Sequence, residues 1–328
     1  MKKIINSPEF VVPEFLAGFA NANPQLAFDS EANVIYRKSA SPKVALISGG
    51  GSGHEPAHAG YVGKGMLDAA VSGNVFSSPS ADQIQTAITK ANSGKGVLLI
   101  IKNYSGDVMN FEMAAEMAEL DDIEVDYVVV DDDVSIAEKE GSSGRRGIAG
   151  TIFVHKIAGA AAEEGRNLSE VKTVAEKVIA NTRSLGMAMS SCILPAVGKP
   201  SFQLEDDEIE IGMGIHGEPG CRKTKLLTAK ELAKEMGERI LENLDYAGSE
   251  VAVLVNGLGA TPLMELYIFN HEVHQMLSEK GIRIYRTYVG NYMTSLEMAG
   301  CSLSLLRLDE ELKRLLDAPA DAPAFKQF

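Results

Sequence analysis

The chain has 328 residues, 45% of them hydrophobic, which is typical of a folded protein with two domains of ordinary size. Its formal net charge of −14 argues against nucleic acid as a partner, because phosphate backbones are bound by clustered lysine and arginine side chains. No apolar run is long enough to span a bilayer, the opening MKKIINSPEF lacks the apolar core of a secretory signal, and the three cysteines are scattered. We therefore expect a cytoplasmic protein with no membrane partner.

Three short apolar runs in the first half of the chain predict buried strands. These runs are KVALISGGG at 43–51, GVLLIIKNY at 96–104 and VDYVVVDDD at 125–133. Segments with helical spacing lie between and after them, at 81–93, 110–121, 149–165 and 168–185. This alternation of strands and helices is typical of a largely parallel sheet that is covered by helices.

The second half repeats the same alternation. Strands are predicted at 249–259, 281–290 and 301–309, and helices at 228–244 and 262–281. We expect two α/β domains, each a largely parallel or mixed sheet covered by helices, with a boundary near residue 185. The first domain, 1–185, would carry a glycine-rich GGGSGH loop and Asp107, and the second, 186–328, would carry a loop around His216.

The glycine-rich loop does not match a nucleotide-binding motif. GGGSGH fails the GxGxxG pattern because His54 occupies the position of its last glycine, and the Lys-Ser/Thr pair of a Walker A loop is missing. VGKPS at 197–201 contains Gly-Lys, but Pro200 replaces the hydroxyl residue. The sequence therefore predicts no nucleotide site, although such a loop still offers backbone N–H groups to a small polar ligand.

Polar residues follow the first two predicted strands. The first strand leads into Gly51, Ser52, Gly53 and His54, and the second ends at Lys102 and continues to Asp107. The carboxyl ends of parallel strands meet at one edge of a sheet, where ligands bind. Two interpretations stay open: His54 and Asp107 form an acid/base pair with Lys102 nearby, or Asp107 caps a helix that starts near Asn110 and Lys102 is solvated.

The stretch GMGIHGEPG at 212–220 places His216 among four glycines. Flanking glycines leave the imidazole approachable, but a lone histidine in a loop is also compatible with a structural or exposed role. The run VDDD at 130–133 is compatible with a magnesium site or a solvated turn. We expect structural roles for the remaining histidines (His58, His155, His271 and His274) and assign no metal site.

Seven motifs together resemble a known family. They are LISGGGSGHEP, GVLLIIKNYSGD, GRRGIAGT, VGKPSF, GMGIHGEPG, VNGLGATPLMELY and MTSLEMAGCSLSLLRLD, in this order. The chain resembles, over essentially its whole length, the substrate-binding subunits of dihydroxyacetone kinases.

This resemblance implies roles for individual residues. In the family, the histidine of the GIHGEPG loop, here His216, adds to the ketone of dihydroxyacetone to form a covalent hemiaminal. The residues that match His54 and Asp107 contact the substrate hydroxyls, and which of them is the base stays open. Further substrate contacts are implied for Gly51, Ser52, Gly53 and Lys102.

The resemblance also implies partners. ATP-dependent single-chain relatives carry an additional nucleotide-binding domain, whereas this chain stops at Phe328. We therefore expect no cofactor in this chain, and ADP with magnesium on a separate kinase subunit that a phosphocarrier subunit recharges from phosphoenolpyruvate. A homodimer is expected. Two alternatives remain, a non-catalytic coactivator that senses dihydroxyacetone and a kinase subunit for another short-chain ketose such as erythrulose.

Overall fold

The computed structural model describes residues 2–39, 41–136 and 144–328. The chain divides into two compact units. The first unit comprises Met1–Val130, Ile152–Val178 and Arg314–Phe328, and the second comprises Asp131–Thr151 and Ile179–Lys313. The sequence predicts a single boundary near residue 185, whereas the chain passes between the units several times. A linear division cannot represent this arrangement, because helices in the middle of the chain and its last residues pack with the first unit.

The first unit contains a mixed six-stranded sheet in the order β1-β2-β4-β3-β5-β6. Its strands are β1 (Leu26–Asp29), β2 (Val34–Arg37), β3 (Ala45–Ser52), β4 (Ala69–Val75), β5 (Val97–Lys102) and β6 (Val125–Val130). Strands β4, β3, β5 and β6 run parallel to one another, while β2 pairs antiparallel with both β1 and β4. Every residue of β3 and β5 is buried, as expected for central strands that are covered on both faces.

Helices cover this sheet. They are α1 (Val11–Ala22), α2 (Ala81–Ala91), α3 (Ser105–Leu120), α4 (Thr151–Glu163) and α5 (Leu168–Ala180). A capping box fixes the start of α2, where Ser80 accepts from the backbone N–H of Gln83 and the Gln83 side chain accepts from that of Ser80. Residues from strands and helices share one hydrophobic core, including Ile47, Val71, Leu99, Ile84, Ile88 and Phe111.

The second unit also contains a mixed six-stranded sheet, in the order β11-β10-β12-β7-β8-β9. Its strands are β7 (Thr182–Ala188), β8 (Glu208–Ile211), β9 (Arg222–Lys225), β10 (Glu250–Gly257), β11 (Arg283–Gly290) and β12 (Gly300–Leu308). Only the β10–β11 pair is parallel among these described strands. Helices α6 (Ala229–Asn243) and α7 (Leu263–Glu279) contribute Met236, Ile240, Phe269 and Val273 to its core.

The remaining elements lie near the end of the chain. Helix α8 (Glu310–Asp317) is followed by a two-stranded antiparallel sheet of β13 (Ala320–Ala322) and β14 (Phe325–Gln327). No helix within the described ranges is both long and apolar enough to cross a membrane.

The predicted fold class, two α/β domains with sheets covered by helices, is confirmed. The six strands and six helices predicted from apolar runs are present, with bounds that shift by a few residues. The segment 168–185, predicted as one helix, instead contains α5 and the start of β7. Of the two expected sheet types, the second unit contains the mixed one and not the largely parallel one, because β7 pairs antiparallel with both β12 and β8.

Candidate functional site

Lys102 and Asp107 form a buried ion pair where β5 ends. Their side chains expose 1% and 4% of their surface, and Nζ of Lys102 lies 2.9 Å from Oδ2 of Asp107. The same ammonium donates to the carbonyl oxygen of Gly49 in β3 at 3.0 Å. Two charges removed from water must be paired and hydrogen-bonded to be tolerated, so this pair holds both side chains in one arrangement.

The position of Asp107 differs from the one that the helix-cap interpretation requires. Helix α3 begins at Ser105, with Tyr104 at the N-cap position, so Asp107 lies inside the first turn rather than before a helix at Asn110. Lys102 is buried and not solvated. The helix-cap interpretation is therefore wrong, and the carboxylate is held by β5 and the start of α3.

Two neighbours of this ion pair were not identified from the sequence. Ser78, which follows β4, donates its hydroxyl to Oδ1 of Asp107. Gly50, with φ of +147°, lies so close that a Cβ there would overlap Nζ of Lys102 and come within 3.2 Å of Oδ2 of Asp107. Ser78 could have been found only by predicting β4, because the pairing of β4 with β3 brings the residues after β4 to this site. This strand was not predicted from the sequence.

The loop after β3 carries the predicted residues Ser52, Gly53 and His54. His54 is completely buried, and its ring stacks on Phe76 with centroids 5.1 Å apart. The Ser52 hydroxyl donates to the carbonyl of Gly73 at 2.7 Å, and the Gly53 N–H donates to the Glu55 carboxylate at 3.0 Å. These bonds fix the shape of the loop in addition to any role with a ligand.

His58 and His155 form a buried pair of imidazoles in the same unit. Nδ1 of His58 lies 3.0 Å from Nε2 of His155, in α4. Burial, and then the charge of Lys102, lowers the pKa of both rings, that of His155 to about 3. Both rings are therefore neutral near pH 7.

His216 lies in the loop between β8 and β9, and its side chain is 19% exposed. Glu218, which the sequence analysis did not select, binds it twice: Nδ1 of the ring lies 2.8 Å from Oε1, and the backbone N–H donates to Oε2 at 2.9 Å. Burial alone would raise the pKa of Glu218, but the hydrogen bond from His216 and the positive charge of Arg146 lower it to about 2.

The ionised carboxylate of Glu218 determines which ring nitrogen of His216 carries the proton. A carboxylate only accepts hydrogen bonds, so Nδ1 is the protonated nitrogen. In the neutral ring, the lone pair then lies on Nε2. This dyad could have been found in the sequence from the two-residue spacing of histidine and glutamate in the glycine-rich loop.

The acidic run at 130–133 has a structural role instead. Asp132 and Asp133 are completely buried, so the interpretation as a solvated turn is wrong. Asp132 accepts the backbone N–H groups of Ile148 and Gly150 at 2.8 and 2.9 Å, and its burial raises its pKa to about 6. Within the residues that the structure describes, no group of three or more His, Cys, Asp and Glu is arranged to hold a metal ion.

The predicted residues thus fall into two groups. The first unit holds the loop of Gly51, Ser52, Gly53 and His54 together with Lys102 and Asp107. The second unit holds His216 with Glu218.

Known proteins have sequences and structures similar to those of this chain. Residues 17–324 match the Dak1 domain model. The PTS-dependent dihydroxyacetone kinase 1, dihydroxyacetone-binding subunit DhaK, of Listeria innocua is 54% identical over 99% of this chain and 100% of its own. The corresponding subunit of Lactococcus lactis is 52% identical over 94% of each chain.

A solved structure with a different described role is also similar. The dihydroxyacetone kinase operon co-activator Dha-DhaQ superimposes with a TM-score of 0.92 at 40% identity, covering 96% of this chain and 98% of its own. Since the family model covers nearly the whole sequence and full-length relatives share more than half of it, the chain belongs to the Dak1 domain family.

Proposed function

We propose that this chain is the dihydroxyacetone-binding subunit of a phosphotransferase-system-dependent dihydroxyacetone kinase. It would capture dihydroxyacetone and present a hydroxyl for phosphorylation to dihydroxyacetone phosphate. The names and identities of the two relatives from Listeria and Lactococcus support this reaction class. The observation that carries the mechanism is the His216–Glu218 dyad, because it holds a nucleophilic ring nitrogen on a glycine-rich loop.

The capture step follows from the protonation state of this dyad. The lone pair on Nε2 of His216 attacks the ketone carbon and forms the N–C bond, while the π electrons of the C=O bond move to oxygen, which takes a proton from water. The ring becomes cationic as the bond forms, and the Glu218 carboxylate, 2.8 Å from Nδ1, stabilises this charge. The Nδ1 proton then passes through this carboxylate to the hydroxide that the water leaves, so that the adduct is neutral and Glu218 is again ionised. The product is a hemiaminal, and glycerol is rejected because it has no carbonyl to attack.

Proton removal from the substrate hydroxyl is assigned to His54 and Asp107. A positioned carboxylate or imidazole can take the hydroxyl proton as phosphoryl transfer proceeds. The buried Lys102 ammonium and the Ser78 hydroxyl support this role for Asp107, since they hold its carboxylate in a fixed orientation. Gly51, Ser52 and Gly53 would supply contacts to the same ligand.

The phosphoryl donor is proposed to be a separate kinase subunit that carries ADP and magnesium. A phosphocarrier subunit would recharge it from phosphoenolpyruvate, and this chain would work as a homodimer. The absence of a Walker A sequence supports the separate donor. GMGIHG at 212–217 has the GxGxxG spacing, but it leads into β9 and not into the helix that a dinucleotide site requires.

Native mass spectrometry of the chain with dihydroxyacetone tests the capture step. We expect one ligand added with no loss of water in the wild type, and no adduct in His216→Ala. Loss of water would indicate a Schiff base on a lysine such as Lys102 instead. A crystal that shows an unbonded ketone beside His216 would refute the covalent step.

A dihydroxyacetone-sensing coactivator is the second candidate, because the co-activator Dha-DhaQ has the same fold. A sensor needs the capturing histidine, whereas Asp107 with its buried lysine is needed for proton transfer. The presence of both groups favours the kinase subunit. An assay of phosphoryl transfer with the donor subunit separates the two candidates, and parallel assays with erythrulose test a different ketose.

A further inference from the structure

The second unit contains a buried arginine–aspartate pair that has no role in the proposed function so far. Arg146 comes from the GRRGIAGT motif and is 7% exposed, and Asp133 is completely buried. Nε and Nη2 of Arg146 each lie 2.8 Å from Oδ2 of Asp133. The backbone N–H of Asp133 donates to the carbonyl of Arg146 at 3.0 Å, so the two segments are joined through main chain and side chain.

The same guanidinium reaches the loop that carries His216. Nη2 of Arg146 donates to the carbonyl oxygen of Gly212, the first residue of GMGIHGEPG, at 2.8 Å, and to the hydroxyl of Ser135 at 2.6 Å. The loop is therefore attached at its beginning to a buried side chain that cannot move without breaking the pair with Asp133.

Arg146 also lies beside the carboxylate that orients His216. Gly214 is flanked by Nη1 of Arg146 and Oε2 of Glu218 so closely that a Cβ on this glycine would overlap both atoms. The charge of Arg146 is one of the causes that lower the pKa of Glu218. Since Oε2 also accepts the backbone N–H of His216, the guanidinium supports the group that fixes both the main chain and the ring of His216.

We propose that Arg146, held by Asp133, is a positioning residue that keeps His216 and Glu218 in the geometry and tautomer needed to capture a ketone. This inference rests on the proposed function, but the arrangement of the His216 ring can be measured without any substrate.

The chemistry of the side chain explains why arginine is required here. Its planar guanidinium presents five donors in a rigid fork, which lets one residue bind Asp133, Ser135 and Gly212 simultaneously. Lysine would keep the charge but could reach only part of this set. A reacting group displaced by about 1 Å can lose on the order of 10²-fold in rate, so a loosened loop is expected to be costly.

Arg146→Lys tests the proposal, with Arg145→Lys as a matched control. Arg145 lies next to it and also uses two nitrogens, but its partner is Asp131, to which it donates at 2.9 and 3.0 Å. We expect Arg146→Lys to slow adduct formation by about 10²-fold, while Arg145→Lys stays near the wild-type rate. Nitrogen NMR shifts of the His216 ring should report a single Nδ1-protonated tautomer in the wild type and in Arg145→Lys. In Arg146→Lys they should report a mixture of tautomers.

The outcomes of this experiment separate the two ideas. If the wild type forms no adduct, the proposed function fails, while the NMR tautomer still tests the positioning role. A folded Arg146→Lys variant with an unchanged tautomer and adduct rate would overturn the inference, as would an equal loss in Arg145→Lys.

Gly214→Ala provides a second variant in case Arg146→Lys does not fold. This variant keeps Arg146, Glu218 and His216, but the new methyl group pushes the side chains of Arg146 and Glu218 apart. The backbone of Gly214 lies outside the left-handed region, so alanine adds no backbone strain there. The same changes in tautomer and adduct rate are expected, and wild-type values for both would contradict the proposal. Gly18→Ala is the control, because a Cβ there meets no atom within 4 Å.

Discussion

The glycine at position 50 allows Lys102 to reach Asp107. A side chain at this point of β3 would occupy the place of the lysine ammonium. The run of three glycines therefore does more than supply backbone N–H groups to a ligand, which is the role that the sequence suggests. It makes room for a buried charge from the neighbouring strand.

Gly50→Ala is expected to damage the ion pair and the reaction together. The added Cβ would displace the Lys102 ammonium, and the loss of the buried pair is expected to approach the roughly 3–5 kcal/mol that removal of one partner costs. The left-handed backbone adds strain of about 1–3 kcal/mol. We expect a lower denaturation midpoint and a loss of phosphoryl transfer by at least about 10²-fold. Gly94→Ala is the matched control, since Gly94 also has positive φ, +79°, but a Cβ there meets nothing. Equal effects in the two variants would show that backbone strain alone is responsible.

Asp107→Asn separates proton transfer from ligand capture. The amide keeps the shape of the carboxylate but not its basicity, so capture at His216 should persist while phosphoryl transfer falls by about 10²-fold or more. Adduct formation by mass spectrometry and turnover with the donor subunit measure the two steps. Unchanged turnover would show that Asp107 is only a structural partner of Lys102.

Sequence reasoning selected His54, Asp107 and His216 but did not select residues whose role depends on contacts with distant segments, even where they lie in a quoted motif. His54, Asp107 and His216 were selected because they lie on loops or follow strands. Ser78 and Arg146 were not selected, since their partners are 29 and 66 residues away in the chain. Their contacts depend on strand pairing and loop packing, which periodicity does not reveal.

At the scale of secondary structure, the His58–His155 pair joins the loop after β3 to α4. Its hydrogen bond links residues 97 positions apart and is buried, and the His155 ring lies next to Tyr61. The pair was expected to be structural from the sequence, and no sequence pattern indicated that the two rings would meet. Both rings must stay neutral because burial and the charge of Lys102 oppose protonation.

This pair predicts a loss of stability in mild acid. The folded pKa of His155 is about 3, below its unfolded value of 6.5, so the unfolded chain binds the extra proton. The stability is fully present above pH 6.5 and is lost as the pH falls towards 3, by about 1.4 kcal/mol per pH unit. The lowered pKa of His58 acts in the same direction, whereas the raised pKa of Asp132 acts in the opposite one.

Urea unfolding at about pH 7.5 and about pH 5.5 measures this effect when wild type is compared with His155→Gln. Glutamine keeps a polar group near the position of Nε2 but has no proton to gain. The wild type should lose about 1.4 kcal/mol more than the variant over this interval. Equal losses would mean that His155 is protonated in the folded protein.

Several of the elements that were missed have physical explanations. Strands β1, β2, β8 and β9 have four residues each, too few for a periodic pattern to stand out. Strand β7 follows α5 after one residue, so its apolar residues extended the helical pattern of 168–185. The buried central strands β3, β5 and β10 were predicted because their continuous apolar runs are distinctive.

At the scale of the whole molecule, the repeated strand–helix alternation was enough to predict two α/β units. It was not enough to predict which segments belong to each unit, because that depends on contacts between residues far apart in the chain. The two histidine loops were assigned to different halves of the sequence, and the structure places them in different units. Their cooperation on one ligand remains the proposal stated above.

The last prediction concerns the phosphoryl donor. The purified chain alone should bind dihydroxyacetone but neither bind ATP tightly nor use it, because phosphoryl transfer requires a site that positions phosphates and magnesium. The chain lacks a Walker A loop, and its most plausible alternative nucleotide-binding segment, NGLGATP at 256–262, is occupied by internal hydrogen bonds. The Asn256 amide donates to the carbonyl of Met293 and to the Ser302 hydroxyl, and the Thr261 hydroxyl bonds to both backbone groups of Gly300.

Two measurements test whether phosphoryl transfer depends on a separate donor. Calorimetry measures ATP binding, and a coupled assay measures turnover before and after adding an ADP-loaded kinase subunit that is recharged from phosphoenolpyruvate. Turnover with ATP alone would defeat the prediction and would require this segment to open and bind nucleotide.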